Sequence, residues 1–184
     1  MKIKIGVMGS AGDTLPPDAA EALREKGEAL GRAIAAHDVL VLTGATTGLP
    51  YMVGGAARRA GAFHIGISPA SNEHEHVESY HLPTDACDAI IYTGFGLKGR
   101  NVVLVRSCDI VLFISGSMGT LNEFTIAHDE GRIIGCLTKT GGVADEAEGL
   151  VEVFSKQTRG VVLHGDNPMR LINACIEAFG QMKE

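Results

Sequence analysis

No stretch of this 184-residue sequence approaches the ~20 consecutive apolar residues that a helix needs to cross a bilayer. The opening Met1-Lys2-Ile3-Lys4-Ile5 lacks the order of charged, apolar and small residues that marks a secretory signal, so a cytoplasmic protein with no membrane partner is expected. Basic charge is short as well: 16 Lys and Arg stand against 22 Asp and Glu, a formal net charge of -6. A nucleic-acid polymer needs a basic footprint that this balance does not supply, although a local anion site stays open. The four cysteines, Cys87, Cys108, Cys136 and Cys175, have no CxxC spacing. They signal neither a disulfide framework nor a zinc site and read as buried free thiols. Internal repeats, low-complexity tracts and Pro/Gly-rich linkers are missing too. With 45% hydrophobic and 21% charged residues, fibrous and disordered classes fall away, and 1–184 reads as one domain with one sizeable core.

What is abundant is glycine, 24 residues, several placed directly after short apolar runs. Seven such runs recur: Ile3–Met8, Val39–Leu42, Phe63–Ile67, Ile90–Tyr92, Ile110–Ile114, Ile133–Leu137 and Val161–Leu163. They are mostly continuous rather than alternating, the pattern of strands covered on both faces. Helix-period segments lie between them. In Asp18–Ala36, Ala19, Ala22, Leu23, Leu30, Ala33 and Ile34 follow a three/four spacing, and Asp18 with Glu21 supplies a capping pattern. Ala147, Leu150, Val151 and Phe154 repeat that spacing, as do Ile172, Cys175, Ile176 and Phe179 behind Asn167-Pro168. Gly27 and Gly31 each cost the first helix ~1 kcal/mol, which implies close approach to the sheet. Residues 99–108 stay undecided, since Val102, Val103 and Val105 favour a strand while Arg100 and Arg106 suit a helix. The alternation predicts an α/β three-layer sandwich around a doubly wound, mainly parallel, Rossmann-like sheet, with ligands bound beyond the carboxyl ends of its strands.

Three glycine turns follow predicted strands: Gly9-Ser10-Ala11-Gly12, Gly44-Ala45-Thr46-Thr47-Gly48 and Gly116-Ser117-Met118-Gly119-Thr120. Each offers backbone N–H groups near a helix start, where orphan donors and the dipole favour an anion. Gly9, Ser10, Gly44, Thr46, Gly116, Ser117, Gly119 and Thr120 therefore form an expected phosphate cradle. The first turn, Gly6-Val7-Met8-Gly9, is without a GxGxxG, no GKS or GKT occurs anywhere, and neither Ser10 nor Ser117 lies in a GxSxG elbow, which demotes NAD oxidoreductases, P-loop NTPases and serine hydrolases.

Two charged residues sharpen the picture. Arg100 suits a phosphate clamp, because a guanidinium is planar and always charged; Asn101 beside it offers a hydrogen bond but no charge. Glu123 has two explanations. Thr120-x-x-Glu123 is a capping-box spacing that by itself accounts for both residues. A carboxylate one turn into an anion-binding helix would equally stabilise an oxocarbenium ion or orient water. His128 reads as a helix C-terminal residue beside Gly131. In Pro69–Asp88, a predicted surface excursion, His74, His76 and His81 alternate with Glu73, Glu75 and Glu78. Two histidines without a third ligand do not make a metal site, and a solvated loop is expected.

Arg100, an apolar strand and Gly116-x-x-Gly119-Thr120-x-x-Glu123 together resemble the paired signatures of the Lonely guy (LOG) family, within the SLOG superfamily of Rossmann-like proteins. That resemblance, running from Gly9 through Gly44 and Gly48-Leu49 to Glu123, implies a phosphoribohydrolase that frees a base from a nucleoside 5′-monophosphate with Arg100 and Glu123 as the catalytic pair. The departures are specific: Ser115-Gly116-Ser117 stands for the family's PGG, Arg100-Asn101 for its Arg-Lys pair and Gly48-Leu49-Pro50-Tyr51 for its GLMG. They resemble a sister branch that includes the molybdenum-cofactor carriers. That branch implies a non-catalytic carrier of a nucleotide or a molybdopterin-type ligand, with no required cofactor or metal. Either way the resemblance implies a homodimer or higher homo-oligomer, and a structural dimer module is the third reading.

Overall fold

The computed structural model describes residues 1–11, 17–154 and 158–182, with the backbone alone for 17–19. Gly12 of the first turn and the expected Asp18 cap lie outside the described residues and side chains. Seven strands, β1 (Ile3–Gly9), β2 (Val39–Thr43), β3 (Phe63–Ser68), β4 (Ala89–Tyr92), β5 (Ile110–Ile114), β6 (Ile133–Leu137) and β7 (Val161–Gly165), coincide with the apolar runs. They form one sheet of order β4-β3-β2-β1-β5-β6-β7, and all six pairings are parallel. The central β5, Ile-Val-Leu-Phe-Ile, is buried at every position, as a strand covered on both faces must be. The order reverses between β1 and β5, the place where open α/β sheets leave a crevice. Lys4 straddles this seam, its amide 2.9 Å and its ammonium 2.6 Å from the Asp109 carboxylate.

Helices α1 (Pro17–Ala35), α2 (Leu49–Arg59) and α6 (Pro168–Gln181) cover one face, burying Leu30, Ile34, Leu49, Val53 and Ile172 against Ile5, Val41 and Leu112. Helices α3 (Gly96–Arg106), α4 (Met118–Asp129) and α5 (Gly142–Val153) cover the other, where Leu104, Phe124 and Ala144 pack on Met8, Val111 and Phe113. No helix among the described residues is long and apolar enough to cross a membrane.

Residues 99–106 of the undecided segment lie in helix α3, because the position between β4 and β5 requires a crossover and Leu104 and Val105 find the sheet face. Gly31 corrects the close-approach expectation. A Cβ there would lie 2.5 Å from the Val53 carbonyl oxygen and 2.7 Å from the Ala56 Cβ, so the glycine lets α1 meet α2 rather than the sheet. Gly27 has only ordinary contacts with Val53, Ile114 and Leu49. The cysteines are free, three buried and Cys87 half-buried.

Asn167 caps α6 as anticipated, its side-chain oxygen accepting from the Arg170 amide at 3.0 Å. Asn167→Ala is expected to cost ~1 kcal/mol and lower the melting temperature by roughly 2–4 °C, read by calorimetry.

Candidate functional site

The carboxyl ends of β1, β2 and β5 and the starts of α3 and α4 enclose a cavity of about 170 Å³. Of the residues expected to form a site, Gly9, Gly44, Thr46, Arg100, Asn101, Ser117, Gly119, Thr120 and Glu123 line it. Ser10 and Gly116 do not. The Ser10 hydroxyl lies 3.2 Å from the Ser115 hydroxyl and accepts from the Gly116 amide at 3.1 Å, so both are spent holding the β1 and β5 turns together.

The turns are tightly specified. Ala45 (φ 52) and Ser115 (φ 56), just past β2 and β5, adopt the left-handed conformation that non-glycine residues seldom take. Gly116 (φ 118) precedes α4, and a Cβ there would collide with Thr120. Reversal at Gly116 starts α4 at Met118, with Ser117 as an extended N-cap residue and no side-chain cap. This start overturns the capping-box account. The Thr120 hydroxyl donates to the Gly9 carbonyl at 3.1 Å, and Glu123 falls in the second turn, on the inner face. The first amides of α4 are left as the orphan donors of a helix N-terminus.

Arg100 enters from α3 and is only 6% exposed. Its path exists because residue 44 is glycine: a Cβ there would fall on the Arg100 Nη1. Nη1 lies 3.6 Å from the Glu123 Oε1, an ion-pair distance. Among the described residues the guanidinium makes no hydrogen bond, and its Nε is fully buried without a partner. Burial lowers its pKa, offset by the Glu123 carboxylate, yet a guanidinium stays charged.

Glu123 is 7% exposed. Burial pushes its carboxyl up to about 7, against the pull of Arg100 and then Lys98. With the Asn101 and Asn122 amides both turned, the Asn101 nitrogen donates to Glu123 Oε1 at 3.1 Å and to the Leu97 carbonyl at 3.0 Å while its oxygen accepts from the Asn122 amide at 2.9 Å; in the other orientation the Asn101 nitrogen donates to Asn122 Oδ1. Asn101 thus lines the cavity beside the carboxyl and can hydrogen-bond it. Lys98, overlooked in the sequence, also lines the cavity, its Nζ 3.5 Å from the place of a Cβ on Gly119. The signal was present: Lys98 and Asn101 stand three apart, a same-face spacing on a helix.

A carboxyl raised from about 4.5 to about 7 by folding binds more protons folded than unfolded between those values, so stability is lost as pH rises through that window. Glu123→Gln is therefore expected to be more stable than wild type near pH 8, by up to ~3 kcal/mol, with the gap closing below about pH 4.5. Denaturant titrations at several pH values measure this directly.

No histidine among the described residues lines this cavity. His76 corrects the solvated-loop expectation: it is fully buried, its Nδ1 2.8 Å from the Ser68 hydroxyl and its Nε2 3.1 Å from the Pro83 carbonyl. It anchors the excursion, which contains one π-helical turn at Glu75–Ser79. His128 stacks on Phe124 in the last turn of α4. Among the described residues no three His, Cys, Asp or Glu cluster as metal ligands would.

The chain is similar to an uncharacterized protein of Archaeoglobus fulgidus, 28% identical over 108 residues, which cover 59% of this chain and 66% of that one, under two thirds of its length. The X-ray structure of TM1055 superposes with a TM-score of 0.81 at 25% identity, over 96% of this chain and 99% of the other. The molybdenum cofactor binding protein from the phototrophic bacterium Rippkaea orientalis superposes with a TM-score of 0.74 at 27% identity, over 100% and 99% of the two chains. The SLOG cluster4 family model matches residues 2–172, nearly the whole chain, and the protein belongs to that family.

Proposed function

We propose that the protein binds a small phosphate-bearing ligand, a nucleotide or pterin type of molecule, at the carboxyl edge of its sheet. The observation that carries this is Arg100: a buried guanidinium that makes no hydrogen bond among the described residues, beside a helix N-terminus without a side-chain cap. A buried donor left unpaired is costly, and a phosphate supplies acceptors that fit both the fork and the helix start. Gly44 leaves the guanidinium its path, Gly119 keeps a side chain out of the space in front of Lys98, and Lys98 adds a second positive charge at the rim.

Size refines the ligand. The cavity of about 170 Å³ is below the roughly 300–1,000 Å³ usual for small-molecule sites, so it suits a phosphate with part of its sugar. Across the Thr46–Gly48 turn lies an open cleft of about 740 Å³, lined by Thr47, Gly48, Tyr51, Met52 and Leu82, with room for a heterocycle. The likeness to the molybdenum cofactor binding protein of Rippkaea orientalis supports a binding protein for a ligand of this kind.

Glu123 favours a second reading, hydrolysis of the N-glycosidic bond. Its carboxyl shares the cavity with Arg100, and as the carboxylate it would stabilise positive charge at a ribosyl carbon while Arg100 holds the phosphate. Calorimetric titration with ribose 5-phosphate, nucleoside 5′-monophosphates and a phosphorylated pterin tests the binding. Tighter binding of the larger esters is expected, and no binding of any of them overturns the proposal. Release of free base, lost in Glu123→Gln, selects the hydrolase; binding without release selects the carrier.

A further inference from the structure

Resting on that anion-binding reading, we infer that Glu123 is a built-in competitor for Arg100, so that capture of an anion is coupled to uptake of one proton at this carboxyl. Both groups line one small cavity, Nη1 and Oε1 3.6 Å apart. The carboxyl is not free to swing away. Asn101, held by the Leu97 carbonyl and by Asn122, donates to the same Oε1, and Glu123 itself is buried on α4. An incoming anion must therefore share the guanidinium with Glu123 rather than displace it. Two negative charges in one partly desolvated space disfavour each other's ionised form. The carboxyl yields, because a proton from solvent neutralises it while a sulfate or phosphate diester has none to gain.

Among the described residues, the groups facing Glu123 offer no other site for that proton. From α3 come Arg100 and Lys98, both cationic, and the Asn101 amide; the thiol of Cys108, at the foot of α3, is pushed up to about 12 by burial and stays neutral. The β1 and β2 ends contribute Gly9, Gly44 and Thr46, which do not titrate. Burial already holds Glu123 up at about 7, and an anion on Arg100 raises it further. Linkage then fixes the sign: proton uptake accompanies binding wherever free Glu123 is ionised and bound Glu123 is not, and affinity falls as pH climbs through that range. As a device this makes the site release its anion in alkali and hold it near neutrality.

Sulfate is the probe, since it remains a dianion throughout and brings no titration of its own. Titration calorimetry in two buffers of different ionisation enthalpy counts the protons. Wild type is expected to take up about one proton per sulfate near pH 8 and fewer near pH 6, with affinity falling by up to ~10-fold per pH unit above about pH 7. Glu123→Gln is expected to bind with no proton uptake and a flat pH profile, and more tightly than wild type near pH 8. Lys98→Met weakens sulfate but keeps the proton count. Sulfate binding with no proton uptake in wild type overturns the inference and leaves the anion site standing, as does a proton count that persists in Glu123→Gln. Failure of both sulfate and ribose 5-phosphate to bind at any pH overturns the anion site and the inference together.

Discussion

Replacing Arg100 with alanine is expected to weaken ribose 5-phosphate by at least about 100-fold, because each hydrogen bond from a charged donor contributes roughly 1.5–3 kcal/mol and a guanidinium presents two at once. The ligand-induced rise in melting temperature should vanish with it. Arg100→Lys restores the charge without the fork and should recover only part of the affinity. The variants separate charge from geometry. Truncating one partner of a buried ion pair ordinarily costs about 3–5 kcal/mol, but Glu123, already held up at about 7, escapes by taking a proton. Arg100→Ala should therefore be close to wild type in stability near pH 6 and clearly weaker near pH 8. Calorimetric titration for affinity and denaturant curves at the two pH values decide both points. An unchanged affinity for ribose 5-phosphate would remove Arg100 from the site.

Gly54→Ala should be strongly destabilising for so small a substitution. Gly54, on α2, has no side chain because the His64 imidazole occupies that space: an added Cβ would overlap Cε1 and come within 2.6 Å of Nε2 and 2.8 Å of Nδ1. The ring has nowhere to go. It is fully buried, with Nδ1 2.7 Å from the Ala86 carbonyl and Nε2 2.9 Å from the Thr43 hydroxyl. Burial lowers its pKa, so the neutral ring donates to Ala86 and accepts from Thr43. Relief requires α2 to shift, and α2 is pinned on its far side by the close approach of Gly31. Overpacking of this kind costs roughly 1–3 kcal/mol, here at the upper end, and about 6–12 °C in melting temperature at roughly 2–4 °C per kcal/mol. Gly149→Ala is the control. A Cβ at Gly149 in α5 meets nothing within 4 Å, so alanine there should raise stability by up to ~1 kcal/mol. Calorimetry reads both, and equal melting temperatures for the pair would refute the packing argument.

The fold was legible because most of the strands are apolar at successive positions, a pattern that two-sided burial rewards. β5, Ile110–Ile114, is the plainest case. Local preference failed where tertiary contacts outweigh it. Val102, Val103 and Val105 favour a strand as isolated residues, yet the crossover from the edge strand β4 to the central β5, parallel strands of one sheet, runs through a helix there. The Thr120-x-x-Glu123 spacing suggested a cap because the helix start was placed two residues late; the φ of Gly116, which starts the helix early, has no signature in residue identity. Ser10 and Gly116 were grouped with the cavity residues because all glycine turns look alike in sequence, whereas the Ser10–Gly116 bond depends on how two turns 106 residues apart meet. His76 was misjudged from its acidic neighbours, since a fully satisfied buried imidazole leaves no mark on composition. Lys98 was overlooked because a lysine two residues before an arginine reads as an ordinary exposed charge.

The seam where the strand order turns back has a mechanical meaning. Gly9, Gly44 and Thr46 arrive from the first half of the chain, whereas Arg100, Ser117, Gly119, Thr120 and Glu123 arrive from the second. The halves meet where β1 lies beside β5, clasped by Lys4 with Asp109 and by Ser10 with Gly116. A molecule seated there acts as a rivet through both halves, and neither half alone can hold it. Its grip should consequently slow hydrogen exchange most at the central amides of β1 and β5, which open only when the whole sheet parts, and leave the fraying end of α6 untouched.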